Sequence, residues 1–338
     1  MRSLTDSEAR VIRSLLADAS GPERQRVRDA GVPRTTFQTI RKRAFVHGWL
    51  KERYVPDPAV FGADHIRFIL AQPYAERWNE SVRLLRSLVG LVVLWASPET
   101  ILGAVFERES SRVWQSPSSD DPFRRTWTVT SSVLAGQIVS YFDYEGAWSR
   151  WTLGVRPLAY PRGLPSTTPG ALPRAKAEWI SVREVVTYSV GGATRLSRSP
   201  VAEQSGLSRR GRRLLAAGCF ARRTFPNLEE IPPIRGYRPQ RVSFVTGTPR
   251  PGTEPRDLFA DLTGLGLSAP ILFVFDSDRV LFASLSPAPP EVIKGRPSMV
   301  ELLQKHISKV EVVREPIESL FPLVDHRYDH LAMPKTDG

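Results

Sequence analysis

"DHIRFILAQP", Asp64 to Pro73, and "QRVSFVTGTP", Gln240 to Pro249, carry the same pattern 176 positions apart, with Phe244 where Phe68 stands and Pro249 where Pro73 stands. Self-similarity at a fixed offset marks an internal repeat, and each stretch is rich in the β-branched and aromatic residues that strands favour. The chain is therefore read as two copies of one unit, and the neighbours of each stretch say what that unit is.

Downstream of the first stretch, the pattern predicts a strand from His65 to Ala71, a helix from Glu76 to Leu88, strands from Leu91 to Ala96 and from Ile101 to Phe106, and a strand within "RTWTVTSSV", Arg125 to Val133. No clear helix is legible between Arg112 and Pro122, so this copy reads as incomplete. The second copy predicts a strand at Val242 to Thr246, a helix at Pro255 to Leu265, strands at Ile271 to Phe275 and Val280 to Leu285, a helix at Ser298 to Ile307, and a strand at Lys309 to Arg314. Strand, helix, two strands, helix, strand is the order of a ferredoxin-like βαββαβ module.

Upstream of the first copy stands "AGVPRTTFQTIRKRAFVHGWLKERYVPDP", Ala30 to Pro58. Thr5 with Glu8 makes a capping-box pair ahead of Val11, Ile12, Leu15 and Leu16, an apolar stripe at helical spacing. A second short helix fits Pro22 to Ala30, with Gly31 as its stop, and a third fits Pro33 to Val46, with Phe37, Ile40 and Ala44 on one face. After Gly48, "WLKERYVPDP" reads as a strand and a turn, where a winged helix-turn-helix carries its wing. Ahead of the second copy, "QSGLSRRGRRLLAAGCFARRTF" occupies the same place. Matching Gly31 to Gly206 leaves its third helix about five residues shorter. Matching Gly48 to Gly218 puts Gly206 and Gly211 inside that helix, at about 1 kcal/mol each relative to Ala.

Between the copies, "RPLAYPRGLPSTTPGALP" is Pro- and Gly-rich without periodicity, the composition of a linker. The expected fold class is α+β, a tandem repeat of winged helix-turn-helix and ferredoxin-like domains. Its expected divisions are a first head at 1–60, a divergent module at 61–153, the linker at 154–174, a degenerate second head at 175–236 and a second module at 237–332.

Composition narrows the class of partner. The chain has 338 residues, 41% of them hydrophobic and 24% charged, a soluble globular balance long enough for two or three cores. Lys+Arg 47 against Asp+Glu 35 gives +12, which favours an anionic partner, nucleic acid first. All but seven of those cations are arginine, a bias that GC-rich coding also produces, so charge counts here only together with its placement. Cys219 is the one cysteine, which excludes an intrachain disulfide and a multi-cysteine zinc site. "MRSLTDSEAR" has no apolar signal core, and the longest apolar run, Leu88 to Ala96, is far short of the ~20 residues a membrane helix needs. A cytoplasmic, non-membrane location is expected.

A winged helix-turn-helix followed by a βαββαβ module resembles the leucine-responsive, or feast/famine, family of transcription regulators. The residues that carry the resemblance are Gly31, Val32 and Pro33, then Phe37, Ile40, Ala44 and Gly48, followed by the alternation from His65 to Phe106. The resemblance implies a double-stranded-DNA-binding regulator, modules that mediate dimer formation, and a small metabolite as effector. Here the two modules could pair within one chain as a pseudo-dimer, or whole chains could form a homodimer. The fusion of two copies, the linker and the segment "VSYFDYEGAWSRWTL" depart from the family pattern.

Burying Phe37, Ile40 and Ala44 turns Arg34, Thr35, Gln38, Thr39, Arg41 and Lys42 outward. In a helix-turn-helix the amino-terminal residues of the third helix reach base edges first, which makes Arg34, Thr35 and Gln38 the expected base readers, with Thr39 beside them. Arg41, Lys42, Lys51 and Arg53 are expected at phosphates, as is the cluster Arg209, Arg210, Arg212 and Arg213. The scattered tryptophans fit packing rather than base stacking. His326 and His330 sit four apart without a strong third ligand, so no metal site and no cofactor are expected. No P-loop, Gly-x-Ser-x-Gly elbow or His-Glu-x-x-His motif occurs, and no enzymatic activity is expected. Two-lobed relatives of the family include haem-pathway decarboxylases. That enzyme reading, which would call on His47, His65 or His306, and a scaffold that binds nucleic acid without regard to sequence, are the alternatives.

Overall fold

The computed structural model describes residues 4–17, 23–63, 65–107, 121–132, 139–140, 180–185, 207–226, 230, 232, 241–264, 269–276, 278–286 and 299–324. The linker, His326 and His330, the stretch from Arg112 to Asp120, Gly206, and Trp114, Trp148, Trp151 and Trp179 lie outside these residues.

The first three helices form as the apolar spacing requires: α1 (Asp6–Ala17), α2 (Glu23–Ala30) and α3 (Arg34–Val46). The capping box at the start of α1 is made in both directions, with the Thr5 amide donating to Glu8 Oε2 at 2.9 Å and the Glu8 amide to Thr5 Oγ1 at 3.3 Å. Pro33 sits at the N-cap of α3, where its missing N–H costs nothing. Val11, Ile12 and Leu15 of α1 pack with Phe37, Ile40, Ala44 and Phe45 of α3 and with Trp49 in a core of their own. Phe37 is fully buried, worth about 1.5–3 kcal/mol relative to exposure. Gly48 ends α3 at φ 69, which lets the Trp49 amide reach back to the Ala44 carbonyl at 2.8 Å.

The same ending recurs 170 positions later. α5 (Arg209–Ala216) stops at Gly218, φ 77, with the Cys219 amide donating to the Leu214 carbonyl at 3.1 Å. Matching Gly48 to Gly218 put both Gly206 and Gly211 inside the helix; α5 begins after Ser208, so Gly211 alone of the two lies within it. α5 has 8 residues against 13 in α3, so it is also the shorter helix. Both expectations left open for the second head hold part of the answer.

The strand after each helix has an unexpected partner. β1 (Leu50–Pro56) makes no hairpin of its own; it pairs antiparallel with β7 (Phe220–Pro226), from Leu50 opposite Pro226 to Pro56 opposite Phe220. A wing read locally after Gly48 becomes one half of a two-stranded ribbon whose other half follows α5. At its centre Arg53 lies opposite Arg223.

The first sheet contains β2 (His65–Pro73), β3 (Leu91–Ala96), β4 (Ile101–Glu107) and β5 (Phe123–Ser132), with α4 (Trp78–Arg86) between β2 and β3. The second contains β8 (Arg241–Pro249), β9 (Ala269–Phe275), β10 (Val280–Ser286) and β11 (Ile307–Pro316), with α6 (Pro255–Gly264) and α7 (Met299–His306). Their strand orders, β5-β2-β4-β3 and β11-β8-β10-β9, match term by term, and every pairing is antiparallel. This is the α+β class expected.

Each sheet gains a fifth strand from the far part of the chain. β12 (Phe321–Val324), which follows β11, pairs with β3 of the first sheet; β6 (Val139–Ser140), which follows β5, pairs with β9 of the second. Phe321 rests against Trp78 with ring centroids 6.2 Å apart, and Arg86 Nη2 donates to the Leu323 carbonyl at 3.2 Å.

Side chains of a strand alternate between faces. Ile66, Phe68 and Leu70 of β2 and Val242 and Phe244 of β8 join one shared core, while Ile69 and Ala71 face Val82 and Leu85 of α4, and Val245 faces Leu258 and Phe259 of α6. The result is two sheets packed together with helices outside. Arg125 of β5 pairs with Glu311 of β11 at 2.9 Å, and Thr100 Oγ1 donates to the buried Glu315 at 2.6 Å. Among the described residues no helix is long and apolar enough to cross a membrane.

Candidate nucleic-acid interface

On α3 the buried face leaves Arg34, Thr35, Gln38, Thr39 and Lys42 exposed, spaced so that they form one outward stripe. Thr39 Oγ1 donates to the Thr35 carbonyl at 2.9 Å. Arg41 corrects the expectation. Its side chain is 11% exposed, against 68% for Arg34, and turns toward α2 rather than toward solvent. The reason is its neighbour Glu23, in the first turn of α2, whose carboxylate lies 3.6 Å from Arg41 Nη1.

Glu23 does more than hold Arg41. Its Oε1 accepts from Arg34 Nε at 3.2 Å and from Gln38 Nε2 at 3.1 Å, so three residues of α3 converge on one carboxylate. Burial pushes its pKa up, but the hydrogen bonds from Gln38 and Arg34 and the charges of Arg34 and Arg41 outweigh this and hold it below the ordinary glutamate value. Sequence reasoning missed Glu23. It lies 11 residues before Arg34 and 15 before Gln38, across the turn, where no helical periodicity signals contact. Arg43 is also engaged, pairing with Glu8 at 2.8 Å and tying α3 to the capping box of α1.

α5 presents a different surface. Ser208 caps α5, accepting from the Gly211 amide at 3.0 Å, and its own amide and hydroxyl donate to Glu184 at 2.6 Å each. Leu207, Gly211 and Leu214 face inward, which leaves Arg209, Arg210, Arg212 and Arg213 all exposed. No carboxylate of the described residues pairs with any of the four. Gly211 is where a side chain would meet the helical stretch 180–185, since a Cβ there would lie 3.2 Å from Glu184 Oε2. The remaining two expected contacts, Lys51 and Arg53, lie on β1, opposite Phe225 and Arg223.

The imidazoles named for the enzyme reading lie on separate elements. His47 follows α3, exposed and stacked on Trp49 at 5.7 Å; His65 opens β2; His306 closes α7, where its Nε2 lies 2.8 Å from Asp261 of α6. The His306 hydrogen bond is the main reason the Asp261 carboxyl sits below its ordinary value. No group of three metal-binding side chains occurs among the described residues. Trp49 is buried, and the indole of Trp78 donates to the Ser97 carbonyl at 2.8 Å, so both pack as expected.

No protein-family model and no curated protein sequence matches the chain. Solved structures do. E. coli AsnC matches 38% of this chain over 93% of its own length, at 16% identity and TM-score 0.29. A transcriptional regulatory protein of the AsnC family from Pyrococcus furiosus matches 38% over 88% of its length, at 16% identity and TM-score 0.28. The siroheme decarboxylase NirDL matches 96% of this chain over 94% of its own, at 10% identity and TM-score 0.46. Likenesses of this size leave function to be argued from the chain's own residues.

Proposed function

We propose that the protein is a sequence-specific, double-stranded-DNA-binding transcription regulator of the feast/famine type, built as a tandem repeat whose two halves form a pseudo-dimer within one chain. The observation that carries this reading is the outward stripe of Arg34, Thr35, Gln38, Thr39 and Lys42 on α3, five exposed groups that donate to or accept from base edges and phosphates. A major groove about 12 Å wide admits one helix, and the amino-terminal turn enters first, which puts Arg34, Thr35 and Gln38 nearest the bases. Lys42 lies further along and meets phosphate, as do Lys51 and Arg53 if the ribbon follows the backbone.

The second head supports phosphate binding in the same reading. Its four exposed arginines suit backbone oxygens, and the shorter helix offers no counterpart to Arg34 or Thr35 within the described residues. The tandem-repeat reading is supported by the recurring Gly48 and Gly218 endings, the matching strand orders and the Arg53–Arg223 pair, each the other's counterpart at 170 positions. A pseudo-twofold axis then passes between those arginines. Heads of unequal chemistry imply an asymmetric site on DNA.

Selection of bound duplexes from a random pool, followed by affinity against salt for the winner and for a scrambled duplex, tests this. Enrichment of an asymmetric sequence with a steep salt dependence is expected. Equal affinity for both duplexes would leave only a scaffold, and a bound tetrapyrrole visible in the absorbance spectrum of the purified protein would turn the reading to the decarboxylase.

A further inference from the structure

Glu23 has a role that the DNA-binding reading does not assign. Of the exposed residues on α3, the two with the most informative side chains, Arg34 and Gln38, are the two that Glu23 binds. We propose that Glu23 is a positioning residue for sequence reading: its carboxylate fixes Arg34 and Gln38 in the poses they present to a base pair, and so sets which bases the first head prefers. This rests on the reading of α3 as the DNA-reading helix.

The geometry assigns each group a part. Arg34 gives its Nε to the carboxylate, so its two terminal nitrogens remain as the paired donors that suit guanine O6 and N7. Gln38 gives one hydrogen of Nε2, and keeps a second hydrogen and its Oε1, the donor and acceptor that adenine N7 and N6 require. The contact with Glu23 also fixes which end of the amide is nitrogen, because a carboxylate accepts and cannot donate. Arg41, nearly covered, anchors the carboxylate from the other side at 3.6 Å. Arginine and glutamine side chains lose rotamer freedom when ordered. Ordering them before DNA arrives removes that cost from binding.

The carboxylate also counts as charge. Glu23 opposes Arg34 and Arg41, so the amino-terminal half of α3 is less cationic than its sequence suggests, which weakens indiscriminate phosphate binding. Removing Glu23 therefore has two consequences of opposite kind. Discrimination falls and non-specific affinity rises.

The test uses the full chain. Duplex selection and competition binding are run on the wild type, Glu23→Ala, Glu23→Gln, Gln38→Ala and the double variant Glu23→Ala with Gln38→Ala. Gln38→Ala identifies the base position that Gln38 reads. Glu23→Ala is expected to lose discrimination at that position by a factor on the order of tenfold, with little further loss in the double variant, because residues of one hydrogen-bond network do not add. Glu23→Gln, which keeps an acceptor oxygen but no charge, is expected to retain part of the discrimination while gaining the same non-specific affinity. Unchanged base preference in Glu23→Ala, or losses that add fully in the double variant, would overturn the proposal while leaving the DNA reading intact. Absence of any preference in the wild type would overturn both. Circular dichroism of each variant separates loss of reading from loss of fold, and if Glu23→Ala does not fold, unchanged discrimination in Glu23→Gln with unchanged non-specific affinity overturns the proposal in its place.

Discussion

α3 and α5 end in the same backbone turn and present different surfaces. α3 is 13 residues long, has a private core with α1, and offers a mixed polar stripe organised by one carboxylate. α5 is 8 residues long and offers four exposed cations in two adjacent pairs, while its inward residue Leu214 and Leu207 just before it join the core of the sheets. The lesson is that two helices can end in the same backbone turn and still carry different outward chemistry. α5 is tied into the core of the sheets, whereas α3 is seated on a core of its own.

The largest effect that can break this comparison comes from α5. Replacing Arg209, Arg210, Arg212 and Arg213 by alanine should weaken binding to every duplex alike and make the logarithmic salt slope about 3–4 units shallower, at roughly 0.9 for each phosphate neutralised. A filter-binding series across salt measures it, and a change in sequence preference instead would make α5 a reader. Next comes the first head. Arg34→Ala with Gln38→Ala should cost about 1–3 kcal/mol of discrimination for each bidentate base pairing removed, with the salt slope moved by one unit at most, as competition between preferred and scrambled duplexes would show.

The frame itself is tested by a matched pair of substitutions. Gly48→Ala and Gly218→Ala both force a side chain into the left-handed region, which costs about 1–2 kcal/mol, and an added Cβ has open space at Gly218 and only the Glu230 side chain at 4.0 Å near Gly48. Denaturant unfolding should give nearly equal losses. A marked inequality would mean that the two turns are not equivalent.

The smallest effect concerns the contact between the sheets. Burial pushes the Glu315 carboxyl above its ordinary value and the Glu99 charge adds to this, against the hydrogen bonds from Thr100 and Ser97. A raised native pKa means that the folded state holds this proton more tightly than the unfolded chain does. Stability from this group is therefore full below the ordinary glutamate value of about 4.3 and falls as pH rises toward the raised native value, then stays level. Glu315→Gln should abolish that fall, so the variant gains on the wild type across this window in unfolding experiments at a series of pH values.

Much of this fold is legible because its signals are local. The capping box of Thr5 and Glu8, the three-and-four spacing of Phe37, Ile40 and Ala44, and the alternation through Phe68 and Phe244 each repeat within a few residues, and the elements they specify are present. What escapes is non-local. "FPLV" contains a proline and "VS" is two residues long, so neither has a period to read, and each acquires a strand's conformation only from the edge it joins. β1 shows a strand's composition but gives no hint that its partner lies at Phe220–Pro226. In the candidate site, the outward stripe follows from the apolar face, whereas the inward turn of Arg41 depends on where α2 packs, which the sequence of α3 does not contain.

The exchanged fifth strands bear on the order in which the chain is made. β3 exposes an unpaired edge until β12, more than two hundred residues downstream, reaches it at Phe321 opposite Ala96. During synthesis, at about 5–20 residues per second, the first sheet therefore waits roughly ten seconds or longer with one edge open to any passing strand. Its closure comes only when residue 324 has been made.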